Sequence, residues 1–243
     1  MIKIGNFLFR YRNGLFPLVY ALLIFKSDPL LADYRLAALA GFLVAVSGQL
    51  LRAVTVGLEY IIRGGRHRQV YADKLVQGGM FAHSRNPLYL GNFIIVMGVG
   101  LASNSRLFLA VALPFFVFAY WAIIAAEENW LRNKFGQEFD AYCARVNRLL
   151  PRLSGFRETL KGMHFNWRRL ITAEYGSAYL WMAAIPLVTL KNAWMNDRYY
   201  SDKGVTVAAW SLLAVATLAY LLARLLKKSG ALRRTATSAT SAS

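Results

Sequence analysis

The sequence predicts an all-α fold: a polytopic integral-membrane bundle of about six transmembrane helices, with one amphipathic helix lying at the membrane interface. Three observations carry that reading. Of the 243 residues, 57% are hydrophobic and the mean hydropathy is +0.36, too apolar for an ordinary soluble domain. The apolar residues gather in runs long enough to cross the ~30 Å hydrocarbon layer at 1.5 Å per residue. The 29 Lys and Arg outnumber the 12 Asp and Glu, for a net charge of +17, and they stand between the apolar runs, as basic loops do. A nucleic-acid binder would instead gather its cations on one folded face, so that class is set aside. With Cys143 as the one cysteine, no intrachain disulfide can form. His67, His83 and His164 are too scattered for a zinc or iron site, and no metal is expected.

The elements follow in order. A first, imperfect span is expected over about residues 14–32, interrupted by Lys26 and Asp28 and without a small-residue cleavage site after a clean apolar core. The second runs over about 36–62. Gly48, Arg52, Thr55 and Glu59 recur along it at helical spacing as a polar stripe, whose charges either snorkel to the interface or line a cavity. A basic connection, Arg63-Gly-Gly-Arg66-His67-Arg68, follows. Pro87 should open the third helix, because its missing N–H has no partner in a first turn. That helix ends near Ala102, and Gly91, Gly98 and Gly100 let a neighbour approach closely. Residues 103–106 form a tight turn, and the fourth helix, about 107–126, returns antiparallel. Beyond Glu128, Leu131, Phe135, Phe139, Tyr142 and Val146 recur at spacings of three and four among charged residues, as on an interfacial helix ended by Pro151. Helices five and six are expected over about 175–195 and 205–226. The small polar tail after Arg233 reads as disordered.

Six spans put both termini on one side. Lys3, Arg10 and Arg12, the basic residues over 63–85, those over 132–169 and those over 224–234 all fall on that side, which the positive-inside rule makes the cytoplasm. The expected location is the cell's inner membrane.

The stretch over 73–151 concentrates the polar chemistry. Arg85, Asn86 and Tyr89 stand just before or at the start of one apolar run, and Glu127 and Glu128 at the end of the next. A helix out and a helix back return the acidic pair to the membrane face where Arg85 lies. Carboxylates in a partly dry pocket are costly without a positive group or donors. Arg85 could be that partner in an ion pair closing the hairpin, or the pair could meet a ligand. His83 is either a proton-transfer group or a solvated interfacial histidine.

The run Leu-Val-Gln-Gly-Gly-Met-Phe over 75–81, the run Arg-Asn-Pro-Leu-Tyr-Leu-Gly over 85–91, and Glu127, Glu128, Leu131, Phe135, Gly136, Glu138, Tyr142, Val146, Arg148 and Pro151 together resemble the signature of the isoprenylcysteine carboxyl methyltransferase family. Its relatives include the phospholipid N-methyltransferases. The resemblance implies an integral-membrane methyltransferase using S-adenosylmethionine without a Rossmann-type domain, and no strand followed by G-x-G-x-x-G and a helix occurs here. It further implies that Lys74, Leu75 and Val76 offer backbone groups to the cofactor and that Phe81 packs on it. Asn86, Pro87, Leu88 and Tyr89 would form one wall, and Glu127 would accept hydrogen bonds from the cofactor's polar end, supported by Glu128. Arg85, Glu128 and His83 are the residues assigned to catalysis.

Two positions depart from the family pattern. Asn86 stands where the commonest motif has His, so proton transfer there is lost although an amide still donates. Ile123 stands where the prenylcysteine enzymes carry an Arg that contacts substrate, which argues against a prenylcysteine carboxylate. Methyl transfer from a sulfonium is an in-line displacement that mainly needs alignment in a water-poor space. An amine acceptor would also need a base, for which His83, Glu128 and Glu59 are the candidates.

On this reading the chain divides into helices one and two with a basic loop (1–72), a methyltransferase core (73–151), a linker with helices five and six (152–232) and a tail (233–243). The cofactor arrives from the cytoplasm and a lipidic or amphiphilic acceptor from the bilayer. A membrane-embedded oxidoreductase of the sterol-reductase type and a non-catalytic scaffold binding anionic lipid are the competing readings.

Overall fold

The computed structural model describes residues 1–58, 74–161 and 165–232, together with the backbone of 63–66 and 69–72. The expectations placed on Glu59, His67, His164 and the tail from residue 233 fall outside these residues.

The described elements are helices α1 (Ile2–Tyr20), α2 (Tyr34–Leu58), α3 (Pro87–Ala102), α4 (Leu113–Phe135), α5 (Gln137–Arg145), α6 (Phe156–Lys161), α7 (Trp167–Met195) and α8 (Lys203–Lys228). Among the described residues, three segments are long and apolar enough to cross a membrane: Tyr34–Leu58, Phe108–Phe135 and Lys203–Lys228. The helix Pro87–Ala102 is apolar but shorter. Exposed Leu36, Leu43, Leu50, Leu187, Leu218 and Leu225 give the bundle an outer surface suited to lipid. The chain is a helical membrane bundle, as its composition predicts.

Several boundaries differ from the sequence expectation. The first helix starts at Ile2, not near residue 14, because Ile2, Ile4, Phe7, Leu8 and Phe9 extend the apolar pattern ahead of Arg10 and Arg12. It tightens into a 3₁₀ turn over Ala21–Ile24. Asp28 and Pro29 then lie in a connection where Pro29 bridges to Ser105. The basic connection contains a small antiparallel hairpin, Arg63–Arg66 with Gln69–Ala72, in which Gly64 faces Tyr71. Val70 and Tyr71 favour extended backbone, so the all-helical bundle carries one two-stranded addition. The fourth helix opens with a π turn over Phe108–Ala112 and runs on to Phe135. Gly136, at a φ of +53° that L side chains avoid, ends it and starts α5. Glu127 and Glu128 therefore lie two turns inside α4 rather than at its end.

Packing also differs from a simple hairpin of α3 with α4. The largest helix contact is α2 with α3; α1 packs on α4, and α7 on α8 and α2. A Cβ at Gly41 or Gly98 would collide with the backbone of the facing helix, so glycine at these positions lets the α2 and α3 backbones come into direct contact. Phe108, Phe116, Val96 and Val99 fill the core between α3 and α4, with Trp181 and Ile185 of α7 against it.

Candidate functional site

A cavity of about 390 Å³ opens between α1, α2, α3, α4 and α7. Each wall follows from local helical geometry. Pro87 opens the first turn of α3 after Asn86 at its N-cap, and Leu88, Tyr89 and, one turn on, Asn92 line the cavity. Tyr120, Ile123 and Glu127 recur at spacings of three and four and so share one face of α4. Phe9, Arg12, Asn13 and Phe16 do the same on α1.

The two adjacent glutamates take different roles because neighbours on a helix point about 100° apart. Glu127, buried, accepts a hydrogen bond from the Tyr89 hydroxyl at 2.7 Å and lines the cavity. Glu128, also buried, is absorbed by structure: Arg148 donates to it at 2.6 Å, Arg85 at 3.1 Å and the Asn86 amide at 3.3 Å. Arg85 also donates to the Cys143 carbonyl at 3.1 Å. The ion pair closing the motif stretch thus exists, and it engages Glu128 rather than Glu127.

Asn86 sits between these two arrangements. It is 2% exposed, and its amide nitrogen donates to Glu128 and to the Arg148 carbonyl at 3.1 Å. Both partners are acceptors, so the orientation of the amide is set. Its Oδ1 has no donor among the described residues, while the residue lines the cavity. A buried acceptor without a donor costs about 1 to 3 kcal/mol, a cost that a ligand N–H or O–H would remove. This is the observation by which the cavity fits a polar cofactor.

Other predicted site residues lie elsewhere. His83 is buried, not solvated, and both ring nitrogens are engaged away from the cavity, with the Arg152 carbonyl at 2.6 Å and the Thr159 hydroxyl at 2.9 Å. Phe156 stands edge-on to its ring. His83 fastens the segment after Pro151 to the core, which leaves no nitrogen for an acceptor's proton. Lys74 is exposed, Val76 is buried, and Leu75 packs on Leu131, Phe139 and Tyr142; none of the three lines the cavity. Phe81 does line it, and its carbonyl accepts from the Tyr142 hydroxyl at 2.7 Å. Burial pushes the Cys143 thiol above its ordinary range, so it stays protonated and poorly nucleophilic.

The contributors not anticipated include Arg12 and Asn13 of α1, Asn92 of α3 and Ser177 of α7. Phe9, Arg12, Asn13 and Phe16 carry a helical periodicity that would have marked a common face, but Arg12 reads more simply as a topology charge. Arg52 resolves the choice left for the polar stripe. It lines the cavity and forms a two-pronged pair with Glu174, both bonds at 2.8 Å, and it also donates to Asn92.

Comparison with known proteins agrees with the motif. Residues 37–138 match the phospholipid methyltransferase family model, so the resemblance read from Arg85 to Gly91 and from Glu127 and Glu128 holds over a segment that also takes in α2. The chain is similar to the nickel-cobalt-cadmium resistance protein NccN of Alcaligenes xylosoxydans xylosoxydans, at 28% identity over 63% of this chain and 71% of that protein. It is also similar to the cobalt-zinc-cadmium resistance protein CzcN of Cupriavidus metallidurans, at 34% identity over 35% of this chain and 39% of that protein. No solved structure matches.

Proposed function

We propose that this protein is an S-adenosylmethionine-dependent methyltransferase acting on a lipidic or amphiphilic acceptor at the cytoplasmic leaflet of the inner membrane. The family match over α2 to α4 supports a membrane methyltransferase. The observation that carries the finer reading is that Asn86, whose buried Oδ1 has no donor among the described residues, and Glu127 both line an approximately 390 Å³ cavity.

Asn86 Oδ1 and the Glu127 carboxylate would accept hydrogen bonds from the cofactor's amino or hydroxyl groups. Tyr89 holds Glu127 in place, and Phe81, Tyr120 and Ile123 supply apolar wall. The cofactor, when bound, supplies an electrophilic methyl group on sulfur. This chain's residues orient the acceptor and exclude water, and such positioning accounts for about 7 to 11 kcal/mol of a barrier without an acid or base. Glu128 contributes by holding Asn86 and Arg85 rather than by moving a proton, because three donors already occupy it. An acceptor that arrives deprotonated, such as a carboxylate or thiolate, suits a site with this composition better than a neutral amine. On this reading, the metal resistance named for the relatives would run here through modification of a membrane component.

Calorimetric titration of the detergent-purified protein with S-adenosylhomocysteine tests the proposal. Micromolar binding that Glu127→Gln weakens is the expected result. Absence of binding to folded wild-type protein, or a preference for a nicotinamide cofactor, would overturn it.

A further inference from the structure

A second cavity, also about 390 Å³, lies between α2, α7 and α8, on helices largely beyond the family-matched segment. Its lining is apolar, with Ala178 of α7 and Ala216, Ala219 and Ala223 of α8 facing into it. Small residues normally draw helices together; here they leave a cleft. Tyr220 stacks on Tyr179 at 4.5 Å and on Tyr175 at 5.5 Å to hold one side.

The wall between the two cavities is one ion pair thick. Arg52 lines the first cavity and Glu174 the second. Their side chains are 11% and 6% exposed. Gln49 donates to Glu174 at 3.2 Å and accepts from the Trp181 indole at 2.9 Å, and Ser177, which lines the first cavity, donates to Glu174 at 3.2 Å. A buried pair costs desolvation that apolar packing would avoid, and charges at membrane depth mark sites rather than struts. The arrangement is a polar threshold on one wall of an apolar cleft, between it and the cavity that holds Glu127.

We propose that this cleft holds the hydrocarbon tail of the methyl acceptor, with the polar head brought to the Arg52–Glu174 threshold. The inference rests on the methyltransferase reading. Along α7 the cleft is lined from Leu170 to Met182, about 18 Å of helix at 1.5 Å per residue, a length that takes one extended alkyl or isoprenoid chain.

The test uses the full-length protein in phosphatidylcholine nanodiscs and a 16-carbon fatty acid carrying a mid-chain diazirine, with labelled residues mapped by mass spectrometry. Labelling should saturate at Tyr179 and Tyr220, be competed by palmitate but not hexanoate, and fall at least tenfold in Ala219→Trp. S-adenosylhomocysteine affinity should stay at the wild-type value in that variant. Ala178→Phe fills the cleft from the other helix and gives the same readout if the tryptophan variant does not fold. Labelling that does not saturate and spreads over exposed residues such as Leu43 and Leu218, as bilayer lipid alone would give, overturns the proposal; so does labelling that both variants leave unchanged. Failure of wild-type protein to bind S-adenosylhomocysteine would sink the methyltransferase reading separately, because the labelling pattern does not depend on it.

Discussion

Glu128 and Asp202 each anchor a charge network, at opposite ends of the bundle, and they differ in what surrounds them. Glu128 is 5% exposed, and the arginines that meet it are 13% and 35% exposed. Asp202, just before α8, accepts from the Tyr34 hydroxyl at 2.6 Å and from Arg35, whose side chain is 49% exposed. The first network is shut in and builds a wall of the cavity through Asn86. The second ties the start of α2 to the start of α8 in reach of water. Equivalent bonds therefore carry different consequences: a buried partner leaves a stranded charge when removed, whereas an exposed one is replaced by solvent.

Four substitutions test that contrast, in falling order of effect. Glu128→Ala strands Arg85 beside a buried wall, and a loss of about 3 kcal/mol is expected in an unfolding titration in mixed micelles; an unchanged midpoint would show that the network is not structural. Glu127→Gln should weaken S-adenosylhomocysteine binding by about 1.5 to 3 kcal/mol, the worth of a charged hydrogen bond, with a smaller stability change than Glu128→Ala. Calorimetry on the two variants together separates the wall from the ligand contact. Tyr89→Phe keeps the ring in the wall and removes only the bond to Glu127, for an expected affinity loss of about 1 kcal/mol.

Asp202→Asn should have the smallest effect, and it should depend on pH. The Tyr34 hydroxyl, and then Arg35, hold the Asp202 carboxyl below its ordinary range. A group whose pKa is depressed by folding stabilises the fold above its unfolded value and loses that contribution as pH falls through the folded one. The difference in melting temperature between wild type and Asp202→Asn should therefore be constant near neutral pH and shrink below about pH 4, the ordinary aspartate value. A difference that persisted into stronger acid would mean that the hydrogen bond from Tyr34 does not require the ionised carboxylate.

Much of this was legible from residue order. Pro87 marked the start of α3, and Gly91 and Gly98 marked a close helix contact, though not that α2 rather than α4 would fill it. The segment from Arg85 to Gly91 and the pair Glu127-Glu128 marked two stretches that the fold brings to one cavity. His83 was misread because a lone histidine in a basic segment looks solvated; its partners, Arg152 and Thr159, lie some 70 residues away and carry no local pattern. Gly136 was read only as part of the family signature, yet its left-handed backbone decides that Glu127 and Glu128 lie inside a helix.

Composition and hydrophobic period determined the class of the molecule and the order of its long helices, because burial of apolar surface and satisfaction of backbone groups in lipid depend on local runs of residues. Tertiary structure decided which of two neighbouring glutamates faces the cavity, that Arg52 meets Glu174 instead of reaching for the interface, and that α1 supplies a wall of the site. A period says that a helix has a face; only packing, set by which small residues let which helices meet, says what that face looks at.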